Sequence, residues 1–119
     1  MSQLDDLRQQ NVARARRWHN DYGQPDADWT AADWSNAVCG EAGEMANVVK
    51  KLRRIDTNTV GANDPGPNEL VHMLADEIAD VIIYADLLAD FFQIDLWRAI
   101  VTKFNAISLR EGMPERLEL

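Results

Sequence analysis

The chain has 119 residues, of which 46% are hydrophobic, enough for one domain around one core. Twelve Lys plus Arg against twenty Asp plus Glu give a formal charge of −8, without the basic stripe a phosphate-backbone binder shows, so no nucleic-acid partner is expected. A single cysteine excludes an intramolecular disulfide, and no run reaches the roughly 18–20 uninterrupted apolar residues that cross a bilayer, so no membrane partner is expected either.

The acid excess has two readings: solvated helix faces, or a group of carboxylates converging on a cation. Cys39, in Val38-Cys39-Gly40 with no base nearby in sequence, reads as a small buried apolar group and not a nucleophile. The first six residues, Met1-Ser2-Gln3-Leu4-Asp5-Asp6, are acidic and lack the apolar run of a signal peptide. A soluble, cytoplasmic, single domain over 1–119 is the expectation.

Four helices are predicted, with no strand-type alternation, repeat or low-complexity tract. The first runs from about Ser2 to Asn20, with Leu4, Leu7, Ala15 and Trp18 near one stripe and Arg8, Arg14, Arg16 and Arg17 around it. Gly23 and Pro25 mark a loop from Asp21 to Trp29. The second helix starts near Thr30, where Asp33 three residues on resembles a capping box. It continues to about Ile55, and Lys50, Lys51, Arg53 and Arg54 suit the negative end of its dipole.

Residues 56–68 hold Gly61, Pro65, Gly66 and Pro67 and cannot continue a helix. A connection this long reads as a flexible loop, either ballast or a lid. The third helix is expected from Asn68, as N-cap, to Phe92. Its apolar residues Leu70, Met73, Leu74, Ile78, Val81, Ile82, Leu88 and Phe92 cover more than one face, which predicts additional cover from an oligomer. The fourth starts at Asp95 and ends before Gly112 and Pro114, with a stripe of Trp97, Ile100, Val101, Phe104 and Ile107. The fold class is therefore all-α, a four-helix bundle-like arrangement.

Two short patterns carry chemistry. Glu41-Ala42-Gly43-Glu44 lies on the second helix and Glu77-Ile78-Ala79-Asp80 on the third. Residues three apart on a helix share a face, so each pattern presents two carboxylates side by side. Helices joined by a loop tend to pack antiparallel, and the two pairs would then meet. Four unpaired carboxylates among Ala42, Gly43, Ile78, Ala79 and Val81 repel one another and are costly to bury. All-oxygen ligation suits a hard divalent cation, Mg²⁺ first and Mn²⁺ as the alternative. The bland reading of a single such pair is a solvated face; two pairs in apolar surroundings make that reading weaker. Gly43 inside a helix implies close helix approach or room for a ligand. A carboxylate di-iron bundle would need two Glu-x-x-His motifs, and only Glu69-Leu70-Val71-His72 is present, since His19 lacks the Glu.

The run from Trp34 to Lys51, holding Glu41 and Glu44, and the run Asp76-Glu77-Ile78-Ala79-Asp80-Val81-Ile82-Ile83-Tyr84 resemble the MazG-like all-α nucleoside triphosphate pyrophosphohydrolases. The ending Lys103-Phe104-Asn105-Ala106-Ile107-Ser108-Leu109-Arg110-Glu111-Gly112 is similar to that family's phosphate-contacting tail, with Ile107 where a polar residue is often found. The resemblance implies Mg²⁺-dependent hydrolysis of a nucleoside triphosphate to the monophosphate and pyrophosphate. It implies Glu41, Glu44, Glu77 and Asp80 as metal-binding acids, with Glu41 or Glu44 as the catalytic base. Lys51, Lys103 and Arg110 are placed to hold phosphates, and Trp34 and Tyr84 to offer the base a platform. For each of these the alternative is a surface cation or ordinary core packing. A homo-oligomer, dimer or tetramer, is expected. The rivals are a phosphoribosyl-ATP or dUTP/dCTP-specific sibling, and a non-catalytic helical module that oligomerises through the third helix.

Overall fold

The computed structural model describes residues 2–21 and 29–119, with side chains described except at 19–21. The loop expected over Asp21–Trp29, apart from its ends, and the side chain of His19 lie outside the described residues. Among the described residues there are four helices and no strand: α1 (Gln3–Asp21), α2 (Ala31–Asp56), α3 (Pro67–Phe91) and α4 (Leu96–Arg110). None of these helices is long and apolar enough to cross a membrane.

Helices α1, α2 and α4 begin on a residue whose side chain satisfies an otherwise orphaned backbone donor. Ser2 Oγ accepts from Asp5 N while Asp5 Oδ2 accepts from Ser2 N, at 3.1 and 2.8 Å. Thr30 and Asp33 form the same reciprocal box at the head of α2. Trp29 precedes that cap and Trp34 is the fourth helical residue; their ring centroids stand 4.5 Å apart. That contact is a hydrophobic staple, which fixes the entry of the chain into α2. Asp95 caps α4 by accepting from Arg98 N at 3.0 Å. At α3 the expected N-cap, Asn68, lies inside the helix. Pro67 is the first helical residue, and the Gly66 carbonyl accepts from Leu70 N. Proline's preset φ and missing N–H suit that first position, so the helix begins earlier.

Helices α2, α3 and α4 end alike. The residue past each cap turns left-handed: Asn58 (φ 57), Gln93 (φ 56) and Gly112 (φ 68). The next residue then donates back across the turn, Thr59 to Arg54, Ile94 to Ala89 and Met113 to Ser108, at 2.8–2.9 Å. These are Schellman motifs, and each stops its helix by satisfying the last carbonyls.

The chain divides into two compact units, Trp29–Ala85 and a second made of the N-terminal segment with Asp86–Leu119. In the second unit the organising group is Asp86, fully buried. Its carboxylate accepts from Arg8 Nε at 2.8 Å and from Asn11 Nδ2 at 3.0 Å. Arg8 also donates to the Ile94 carbonyl at 3.0 Å and approaches Asp90 at 3.8 Å. One side chain of α1 thus ties down both the end of α3 and the turn after it. This corrects the expected face of α1: Asn11 is buried and Arg8 points inward, while Trp18 is 62% exposed. Of the stripe expected on α4 only Val101 is buried; Ile100, Phe104 and Ile107 are exposed. The tail is clasped to α4 by a paired contact. Asn105 Nδ2 donates to the Leu117 carbonyl, and Asn105 Oδ1 accepts from Leu117 N, at 2.9 and 2.8 Å.

In the unit Trp29–Ala85, α2 and the first part of α3 are joined by a connection that is pinned. Asp64 accepts from Gly61 N at 3.0 Å and from Arg54 Nη1 at 3.1 Å. These bonds, with Lys51 nearby, hold the Asp64 carboxyl below its ordinary range. Within the connection expected to be ballast or a lid, Asp64 thus closes a local turn onto Gly61 and ties it to the last turn of α2. The side chain of Cys39, expected to be buried, is exposed.

Replacing Asp86 with Ala would remove the buried carboxylate that accepts from Arg8 Nε and Asn11 Nδ2. The expected loss is about 3 kcal/mol of unfolding free energy by urea titration, the scale for breaking a buried charged pair by removing one side of it. A change below about 1 kcal/mol would show that Asp86 is not the tie it looks to be.

Candidate metal centre

The acidic turns meet. Glu41 sits in the middle of α2, some fifteen residues before that helix ends, and Glu77 and Asp80 sit ten and thirteen residues into α3. At about 1.5 Å of rise per residue these positions lie at comparable depths from the intervening loop, as an antiparallel hairpin of helices requires. One carboxylate oxygen from each of Glu41, Glu77 and Asp80 lies within 4.8 Å of the other two. All three residues are half-buried. Glu44 falls outside this triad and is exposed, and it is among the groups that raise the Glu41 and Glu77 carboxyls.

Two oxygens in this cluster, Glu41 Oε2 and Glu77 Oε2, are buried without a hydrogen-bond partner. Native structures rarely leave such atoms orphaned, because the desolvation cost is not recovered. Burial pushes the Glu41 carboxyl above its ordinary value, and the charges of Glu44, Asp80 and Glu77 push it further. Glu77 is raised as well, by burial first and then by Glu44, Asp80 and Asp76. A hard divalent cation would relieve both problems at once, taking up the orphaned oxygens and cancelling the repulsion. The donor set is all oxygen and all carboxylate, which fits Mg²⁺ or Mn²⁺ and not a soft metal. Glu41, Glu77 and Asp80 would hold it, with Glu44 beside them.

Gly43 lies between the two acids of α2. A Cβ built there would meet no heavy atom within 4 Å. Close helix approach is therefore not its reason; Gly43 is exposed, and at 3.6 residues per turn it projects from a different face of α2 than Glu41 and Glu44.

The remaining residues singled out in the sequence separate into two groups. Lys51, Trp34 and Tyr84 belong to the same unit as the acids. Lys51 and Tyr84 are half-buried, and Lys51 is near enough to Asp64 to lower its pKa. Trp34 is half-buried against Trp29. Lys103 and Arg110 belong to the other unit, are exposed, and Arg110 Nε pairs with Glu111 at 3.0 Å. His72, the one imidazole of the incomplete di-iron pattern with a described side chain, is exposed and stands outside the acidic triad. Trp29 is the residue that sequence reading missed; an aromatic directly before a capping box was the signal.

No protein-family model matches this chain, and no curated protein matches it.

Two outcomes follow from the geometry. With divalent cations chelated, the native state binds the Glu41 and Glu77 protons more tightly than the unfolded chain does. Below the ordinary value of 4.5 both states are protonated and nothing is lost. As pH rises through the raised native values, the folded protein must give up protons it holds more tightly, so stability falls. Thermal melts in chelator should therefore show a lower Tm at neutral pH than near pH 5, and added Mg²⁺ should remove the difference; a Tm that climbs with pH in chelator would contradict the cluster. Separately, Gly43→Ala should stabilise the metal-free protein by about 1 kcal/mol, since it adds helix propensity and meets nothing. A destabilised G43A in chemical denaturation would show that the space is not open.

Proposed function

We propose that the chain is a Mg²⁺-dependent nucleoside triphosphate pyrophosphohydrolase of the MazG-like all-α kind, acting in clean-up of the nucleotide pool. The observation that carries this reading is the meeting of Glu41 of α2 with Glu77 and Asp80 of α3, with two buried oxygens, Glu41 Oε2 and Glu77 Oε2, that have no hydrogen-bond partner. The resemblance of the runs around Glu41–Glu44 and Glu77–Asp80 supplies the reaction class.

The reaction is NTP + water → NMP + pyrophosphate. The water oxygen bonds to phosphorus at the α–β bridge, the bridging P–O bond breaks, and pyrophosphate leaves. Mg²⁺, when bound, supplies the positive charge that offsets the triphosphate and acidifies water nearby. Glu44 is the carboxylate available to receive the water's proton: its charge acts on Glu41 and Glu77, yet it is exposed and outside the triad. Glu41 is thereby assigned to holding the cation. Lys51 offers positive charge in the same unit. Trp34 and Tyr84 are the aromatic surfaces available to a base in that unit. Lys103 and Arg110 act as phosphate contacts only if substrate reaches α4.

The test is pyrophosphate release from each common NTP and dNTP, with phosphoribosyl-ATP alongside, with and without Mg²⁺. Activity should require the cation. Glu44→Gln should lower kcat about 10²-fold or more, as loss of a general base does, while leaving the Mg²⁺-induced rise in Tm intact. Absence of pyrophosphate from every substrate, with Tm still rising in Mg²⁺, would leave a metal-binding helical module and end the hydrolase reading.

A further inference from the structure

We infer that Arg54 and Lys51 form a phosphate-binding corner at the end of α2, and that Asp64 is its built-in competitor, a carboxylate that an arriving phosphate displaces from Arg54. The ligand is a phosphate group of a polyphosphate chain. The inference rests on the reading above only in taking a nucleotide as the carrier of that chain, and every contact it uses lies within the unit Trp29–Ala85.

Lys51 and Arg54 are three residues apart on α2 and so neighbour each other on its surface, with Lys51 two turns, about 10 Å, beyond Glu44. The last carbonyls of the helix are already taken: Thr57 N donates to Arg53 O, Asn58 N to Ile55 O and Thr59 N to Arg54 O. An anion beside these two cations therefore does not face bare carbonyls. Asp64 supplies such an anion. Its carboxylate accepts from Arg54 Nη1, at 3.1 Å to Oδ2 and 3.5 Å to Oδ1. The Gly61 N–H first, and then Arg54, hold that carboxyl below its ordinary range, and the charge of Lys51 adds to them. A Cβ at Gly61 would stand 3.2–3.3 Å from the carboxyl carbon and both oxygens, so the turn is shaped around this carboxylate.

Three features make Asp64 a placeholder and not a permanent tie. First, Arg54 reaches Asp64 through Nη1 alone. Its Nε and Nη2 hold no hydrogen bond among the described residues, so the fork that suits a phosphate bidentately is left unfilled. Second, two cations stand against one carboxylate, and Lys51 has no ion pair among the described residues. A phosphate brings more charge and a third acceptor oxygen, enough to serve both. Third, Asp64 can leave Arg54 without undoing its own turn. Asp64 N donates to Gly61 O at 3.1 Å and Gly61 N donates to Asp64 Oδ2 at 3.0 Å, both inside the turn 61–64. The ion pair that joins this turn to α2 involves an arginine whose side chain is 35% exposed, and a partly solvated pair of that kind is weak enough for a polyvalent anion to replace.

The test is calorimetric titration of the metal-stripped full chain with inorganic tripolyphosphate, so that neither a cation nor hydrolysis contributes. Asp64→Asn should bind about fivefold tighter than wild type, because it removes a competitor that holds the corner most of the time. Arg54→Gln should bind about tenfold more weakly. Asp64→Asn added to Arg54→Gln should regain nothing, since the gain runs through Arg54. Glu69→Gln, which removes the same charge from the first turn of α3, should change binding by less than about twofold. Equal gains from Glu69→Gln and Asp64→Asn, or a gain from Asp64→Asn that survives Arg54→Gln, would reduce the effect to net charge and overturn the inference. So would the absence of binding by both wild type and Asp64→Asn at millimolar tripolyphosphate. Should Asp64→Asn lose its helical circular dichroism, nuclear magnetic resonance of the wild type decides: the Arg54 guanidinium nitrogens and the Asp64 carboxyl carbon should shift together and saturate with tripolyphosphate, and an unmoved Asp64 refutes displacement. None of these readouts involves pyrophosphate release, so this inference and the hydrolase reading fail separately.

Discussion

Mutual repulsion among the carboxylates of α2 and α3 is the constraint on which the functional reading depends. Glu41, Glu77 and Asp80 bring oxygens within 4.8 Å of one another, the charge of Glu44 bears on Glu41 and Glu77, and two oxygens are buried without a hydrogen-bond partner. Such a cluster costs folding free energy unless protons or a cation neutralise it. The protein tolerates it in the middle of its two longest helices, which is the pattern expected where stability has been traded for a site. The triad is half-buried, and the cation Lys51 lies two turns on from Glu44 along α2.

The surrounding scaffold holds these turns in register by local devices at the ends of helices. Reciprocal caps at Ser2 and Thr30, the tryptophan staple at Trp29 and Trp34, and three Schellman turns fix where the elements start and stop. Asp64 closes the connection between α2 and α3, so the acids of the two helices lie at comparable depths from a turn of defined shape. In the other unit a single buried carboxylate, Asp86, plays the equivalent part for α1 and the turn before α4.

Much of this was legible in the sequence, because periodicity and capping are local. The four helices, the capping box at Thr30, the cap at Asp95 and the stop before Gly112 all follow from residue type and spacing. The pairing of Glu41 with Glu77 and Asp80 was legible too, since two i, i+3 pairs on loop-joined helices have few other places to go. What spacing could not convey was tertiary. Asp86 reads as an interruption of an apolar run, and only the arrival of Arg8 and Asn11 makes it the buried centre of a network. Trp18, Cys39, Ile78 and Phe104 read as core residues by type, yet all four are exposed, because type alone does not fix which side chains the tertiary packing covers. Lys51, Lys103 and Arg110 looked alike as cations, and only the fold puts the first in the unit of the acids and the others outside it.

The most direct test of the carboxylate cluster is titration of the chelator-treated protein with Mn²⁺, followed by electron paramagnetic resonance and calorimetry. The account predicts saturable binding that weakens at least tenfold in Glu77→Gln and is unchanged in Glu69→Gln, which alters an exposed acid on the same helix. Equal binding by wild type and Glu77→Gln, or no saturable binding at millimolar Mn²⁺, would contradict it.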